Sequence, residues 1–185
     1  MAEESNVHVK VAMADVLALL AISMFTFAVA VFGLGTDSLD LVVMVGPFVG
    51  IVTLVATIFA YLNENLLGTA IFGPLSIFFF TIVLVGGVSA AMLCLLIGII
   101  ILIDAFVSLA QPVKLLPVLL LIATVAFFVT ALWYNGQDGL KFAVGALWMI
   151  YSLLSFYMAA AIMLLVMKGD QVLPLFISAP AAAKA

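Results

Sequence analysis

Residues 139–174 read GLKFAVGALWMIYSLLSFYMAAAIMLLVMKGDQVLP and predict a last membrane-spanning helix followed at once by a short exit. The apolar run is longer than the roughly 20 residues that a helix needs to cross a bilayer. Tyr151, Ser152 and Ser155 are polar groups within it, and Lys168 stands at its end, just before Gly169. The stretch indicates that most of the surrounding solvent is lipid.

The composition extends this conclusion to the whole chain. Of its 185 residues, 69% are hydrophobic and 8% are charged, whereas an ordinary soluble domain is roughly half apolar and a quarter charged. At about 20 residues a span, the chain has room for about six to eight helices and for no sizeable soluble domain. We therefore predict an all-α fold, an integral membrane bundle of six transmembrane helices.

Turn signals set the limits of the six spans. A single helix over 66–110 would be about 67 Å long, twice the bilayer core, so Gly86-Gly87 must be a turn. The predicted spans are residues 11–34, 39–62, 66–85, 88–110, 115–134 and 140–167. They form a transmembrane domain of residues 11–174, between an N-terminal tail, 1–10, and a C-terminal tail, 175–185, that we expect to be mobile.

The lysines predict the orientation. An even number of spans places both termini on one side of the membrane. If that side is the cytoplasm, Lys10, Lys114, Lys168 and Lys184 lie inside, and Lys141 lies outside. Because positive residues favour cytoplasmic loops, we expect a multi-pass protein of the plasma membrane with both termini cytoplasmic.

The residue types present argue against several classes of function. The five positive residues are all Lys and form no basic stripe, so we expect no nucleic-acid partner. One His, His8, in the N-terminal tail and one Cys, Cys94, cannot build a metal cluster, a haem site or a Ser-His-Asp set. We expect no cofactor, no metal and no enzymatic activity. Hydroxyls, carboxylates and aromatic rings remain, which are the parts of a channel or a small permease.

Three features inside the spans carry specific expectations. Asp15 is either a wet carboxylate at a helix N-terminus or a proton- or solute-handling group at a pore mouth. Gly46 and Gly50 form a small-xxx-small pair that suits close helix packing. We expect Asp104 to pair with Lys114 across the following loop, with a cavity-facing position as the alternative.

Several positions match the spacing of a known family. In the sixth helix and its exit they are Tyr157, Ala159, Gly169 and Val172-Leu173-Pro174. In the first two helices they are Leu17, Leu19, Met24, Thr26, Gly35, Gly46, Phe48 and Gly50. On these residues the chain resembles the acetate uptake transporter family, the small six-helix acetate and succinate permeases, as a divergent member.

Two motifs depart from the family pattern. The family opens its first helix with Asn-Pro-Ala-Pro-Leu-Gly-Leu, whereas this chain has Met13-Ala14-Asp15-Val16-Leu17-Ala18-Leu19, without prolines and with a carboxylate. For the family's Asn-Thr-Phe-Gly after the second helix, the nearest counterpart is Gly68-Thr69. These departures bear on the identity of the solute more than on the six-helix architecture.

The resemblance implies a membrane permease or channel for a small monocarboxylate such as acetate, coupled to protons. It also implies a homo-hexamer in the lipid bilayer, with one pathway through each protomer. The pathway residues it implies by position are Asp15, Leu17 and Thr26 in the first span, Phe48 in the second, and Phe72 and Ser76 in the third. Ser152 and Ser155, on the small face of the sixth helix, would either pack against a neighbouring helix or line the same pathway.

Two other functions stay open. One is a passive channel for a small neutral solute of the urea or amide type, which has the same helix count. The other is a non-transporting structural subunit of a membrane complex, which the scarcity of polar residues in the spans favours.

Overall fold

Six helices run up and down through the part of the chain that the computed structural model describes, residues 14–35 and 39–177. They are α1 (Ala14–Gly33), α2 (Asp40–Leu62), α3 (Leu66–Ile82), α4 (Gly87–Ser108), α5 (Leu115–Tyr134) and α6 (Lys141–Lys168), with a 3-10 turn, Asp138–Leu140, before α6. Five of these helices are long and apolar enough to cross a membrane, and α3 is a shorter apolar helix. The predicted all-α membrane bundle is confirmed.

The helix ends follow local turn chemistry. We expected the third span to continue to residue 85, but α3 ends at Ile82. At 1.5 Å per residue its 17 residues measure about 26 Å. In the turn that follows, Gly86 is extended and Gly87 has φ +55°, a conformation that glycine adopts at no steric cost. Residues 11–13 of the first predicted span, the tail 1–10 and residues 178–185 lie outside the described residues.

The first and last helices, α1 and α6, form the most extensive helix–helix contact in the bundle. A Cβ atom built on Gly145 of α6 would lie 2.6 Å from the carbonyl carbon of Gly33 in α1, so the two backbones touch. Further along, the Ser152 hydroxyl donates to the carbonyl of Ser23 at 2.9 Å. The Ser155 hydroxyl donates to the carbonyl of Leu19 at 3.3 Å. Small residues therefore let α1 and α6 approach until side-chain hydroxyls reach the opposite backbone.

The glycine pair of α2 contacts α3 within the same chain. A Cβ atom on Gly46 would lie 2.7 Å from Cγ1 of Val83, and one on Gly50 would lie 3.0 Å from the ring of Phe80. The hydroxyl of Ser76 in α3 donates to the Gly50 carbonyl at 3.0 Å. The pair thus provides the space into which α3 packs.

The expected pair between Asp104 and Lys114 does not form. The ammonium of Lys114 instead donates to the carbonyls of Leu109 and Gln111, at 2.8 and 3.0 Å, just after the end of α4. Carbonyls at a helix C-terminus lack intrahelical donors and attract cations, which explains this choice. Asp104 lies a turn earlier on the buried face of α4, and its Oδ2 has no hydrogen-bond partner among the described residues.

Candidate functional site: two cavities and a neck

One cavity lies toward the end of the bundle where α1 ends and α6 begins, and we call it the Trp133 cavity. Its volume is about 50 Å³. Its wall is made of aliphatic and aromatic side chains, and the aromatic ones include Phe25, Phe32, Phe78, Phe127, Trp133 and Trp148. Rings in this wall meet edge to face, for example Phe127 and Trp148 with centroids 4.9 Å apart, the arrangement that aromatic pairs favour.

Three polar side chains in the wall of the Trp133 cavity, those of Thr26, Thr130 and Trp148, are bound to the protein itself. Trp148 Nε1 donates to the Thr130 hydroxyl at 2.9 Å, and that hydroxyl donates to the Ala126 carbonyl at 2.6 Å. The hydroxyl of Thr26 donates to the Ile22 carbonyl at 2.9 Å. Because these groups are already satisfied, the cavity presents a mostly apolar surface to a solute.

The second cavity lies toward the opposite end, where α1 begins, and we call it the Asp15 cavity. Its volume is about 160 Å³, and its polar lining includes Asp15, Asn65 and Gln111. The Asn65 carboxamide donates to both carboxylate oxygens of Asp15, at 3.0 Å to Oδ1 and 3.3 Å to Oδ2. Asn65 is also the N-cap of α3, since its Oδ1 accepts from the backbone N–H of Gly68 at 2.9 Å.

Four side chains border both cavities and separate them, and we call them the neck. They are Ile22 of α1, Ile71 of α3, Leu120 of α5 and Tyr151 of α6. All four are buried. The neck is therefore a buried, mainly aliphatic part of the wall between the two cavities, with one phenol among its members. Apolar linings of this kind resist the entry of water and ions.

The structure brings three of the expected pathway residues to the cavities. Asp15 and Phe72 line the Asp15 cavity, and Thr26 lines the Trp133 cavity. Ser76, Ser152 and Ser155 border neither of these cavities, because their hydroxyls bind backbone carbonyls between helices. Their contacts are those of helix packing.

The remaining two expected residues face away from the cavities. The side chain of Leu17 is 42% exposed and that of Phe48 is 67% exposed on the outside of the chain. These two side chains therefore line neither of the two cavities. One residue turns a helix by about 100°, so a matching position alone does not fix which way a side chain points.

The segment after α6 holds contacts that the sequence prediction missed. Gly169, with φ +75°, ends the helix, and the Tyr157 hydroxyl then donates to the Pro174 carbonyl at 3.0 Å. The backbone N–H of Lys114 donates to the Phe176 carbonyl at 3.3 Å. Leu175, expected in a mobile tail, is fully buried. The described part of this segment is therefore fixed against the α4–α5 loop, beside the Asp15 cavity.

Six apolar helices thus enclose two cavities with the neck between them. The same fold occurs in a solved structure described as "Structure of the bacterial acetate channel SatP", with a TM-score of 0.84. The match covers 91% of this chain and 99% of that chain at 22% sequence identity. No family model and no curated protein matches the sequence. The structural match confirms the fold that the resemblance implies.

Proposed function

We propose that this chain is a membrane permease or channel for a small monocarboxylate such as acetate. The observation that carries the proposal is the neck, whose four buried side chains lie between two cavities along the interior of a fold shared with an acetate channel. A methyl group suits the aliphatic neck, and the carboxamide of Gln111 offers hydrogen bonds to a carboxyl group.

The lining of the two cavities favours proton coupling. Among the described residues that line them, none is Lys, Arg or His, so no cationic side chain there compensates a carboxylate anion. Moving a bare ion through an apolar constriction is costly. Asp15 and Tyr151 are the titratable groups of the Asp15 cavity. We assign proton handling to Asp15, so that the solute crosses together with a proton.

Assembly and orientation complete the proposal. The exposed side chains of Leu17 and Phe48 give the outer face of the bundle an apolar surface for lipid or for neighbouring protomers of a homo-hexamer. Lys114 and Lys168 lie at the Asp15 end and Lys141 lies at the other. By the positive-inside rule the Asp15 end faces the cytoplasm of a plasma-membrane protein.

Uptake by reconstituted vesicles tests the proposal. Vesicles with the purified protein should accumulate labelled acetate faster than protein-free vesicles, and an inward proton gradient should accelerate this uptake. Asp15→Asn should keep uptake but lose the acceleration, because an amide does not titrate. Asp138→Asn, an exposed carboxylate at the opposite end, is the matched control and should behave as the unmodified protein.

Three other outcomes would contradict the proposal in different ways. Uptake of labelled urea without acetate would identify a passive channel for neutral solutes. A folded protein that carries neither solute would favour a structural subunit. Gradient-driven uptake that persists in Asp15→Asn would remove Asp15 from the proton pathway.

A further inference from the structure

A groove lies on the outside of the bundle at the turn between α2 and α3. It has a volume of about 450 Å³ and is lined by Tyr61, Leu62, Glu64, Asn65, Leu66 and Thr69. Among the described residues, Asn65 is the one that borders both this groove and the Asp15 cavity. The side chain of Asn65 therefore stands between the inner cavity and the outside of the protein.

The backbone turn before Asn65 fixes the position of its side chain. Glu64 has φ +57°, an uncommon conformation for a residue other than glycine. The tight turn it makes lets the backbone N–H of Asn65 donate to the Ala60 carbonyl at 2.9 Å. The carboxamide is then held at both ends, with Nδ2 on Asp15 and Oδ1 on the N–H of Gly68.

Gly68 leaves the space in which Asn65 and Asp15 meet. A Cβ atom at this position would lie 2.7 Å from Asn65 Nδ2 and 3.1 Å from Asp15 Oδ1. Contacts under 3.0 Å essentially do not occur for real Cβ atoms, so a larger residue would displace the pair. Three separate elements, the start of α1, the turn at Glu64 and the first turn of α3, thus converge on one hydrogen-bonded pair.

We propose that Asn65 is a gating residue, and that its hydrogen bonds to Asp15 hold the Asp15 cavity closed toward the outer groove. The inference rests on the proposed function, because it gives the solute a route between the groove and the cavity. When the bonds between Asn65 and Asp15 break, the carboxamide no longer bridges α1 and α3, and the groove and the cavity join. Asn65 acts by positioning and need not bind the solute.

One substitution at Asn65 can remove its hydrogen bonds to Asp15 and still keep the N-cap of α3. Asn65→Asp keeps an oxygen that accepts from Gly68 N–H, and aspartate is a good N-cap. The new carboxylate cannot donate to Asp15 and repels it as a like charge. The double variant Asp15→Asn with Asn65→Asp restores the pair with donor and acceptor exchanged.

The test measures access to the cavity without any solute. Cys94→Ala removes the one native cysteine, and Met158→Cys places a thiol in the wall of the Asp15 cavity. The rate at which a charged, membrane-impermeant maleimide modifies this thiol reports how often the gate opens. Asn65→Asp should raise that rate by about tenfold, the effect of a modest population shift toward the open state, and the exchanged double variant should return it toward the starting rate.

Asn135→Asp is the matched control, since it makes the same chemical change at an exposed position at the opposite end of the bundle. It should leave the modification rate unchanged. The exchanged double variant should have the melting temperature of the starting protein, which separates gating from loss of the cap. An unchanged rate in Asn65→Asp, or no recovery in the double variant, would overturn the proposal. Because the assay uses no acetate, failure of the gate is distinguishable from failure of acetate uptake.

Discussion

Gly145→Ala is expected to be among the most destabilising single substitutions in the bundle. Its new methyl group would lie 2.6 Å from backbone atoms of Gly33 and Leu34, which cannot rotate away. Forcing extra atoms into a packed site costs about 1–3 kcal/mol and occasionally more, and contact with backbone favours the upper end. We therefore expect a clearly lower melting temperature in detergent, measured by intrinsic fluorescence.

The control for this prediction is Gly73→Ala, also in a helix interior. A Cβ atom at Gly73 meets Cγ2 of Thr57 at 3.5 Å, an ordinary contact. Alanine is favoured over glycine in helices by about 1 kcal/mol in soluble hosts, so this variant should be neutral or slightly stabilised. Equal melting temperatures for Gly145→Ala and Gly73→Ala would contradict the close contact between α1 and α6.

Leu120→Trp is expected to reduce acetate uptake at least about tenfold, equivalent to roughly 1.4 kcal/mol in the barrier. Leu120 is a buried member of the neck on α5, and an indole there would fill the narrowest part of the proposed route. Leu120→Ala should act in the opposite direction, raising uptake and admitting longer monocarboxylates. Initial rates of labelled uptake in reconstituted vesicles measure both effects.

The adjacent residue supplies the control. Leu121 is 43% exposed on the outer surface of the same helix, so Leu121→Trp adds the same indole where it meets lipid. It should leave uptake unchanged at equal protein content. If both tryptophan variants lose uptake equally, or if neither does, the neck is not the narrowest part of the route.

The architecture follows from the sequence because long apolar runs and glycine-rich or polar turns are local signals. The fifth span, predicted at 115–134, and α5 have the same bounds. The missing signal was the direction in which each side chain points. In a membrane helix the lipid-facing and protein-facing sides are both apolar, so hydrophobic periodicity does not separate Leu120 from Leu121. The same ambiguity applies to Leu17 and Phe48, whose side chains lie on the outside of the chain.

The neck and the gate were missed for different reasons. Ile22, Ile71 and Leu120 read as ordinary aliphatic residues, and only the tertiary packing brings them together. For Asn65, in contrast, the sequence does contain a local signal. Residues 65–68 read Asn-Leu-Leu-Gly, and an Asn directly before an apolar run is the pattern of a helix N-cap.

A cysteine in the neck tests most directly whether solute crosses the interior of a single chain. Ile71→Cys in a Cys94→Ala background places one thiol in the neck, and Ile77→Cys places one on the exposed side of the same helix, α3. Complete modification at position 71 should abolish acetate uptake, and excess acetate should slow that modification. Modification at position 77 should change neither. Unchanged acetate uptake after complete modification at position 71 would contradict a route through the neck.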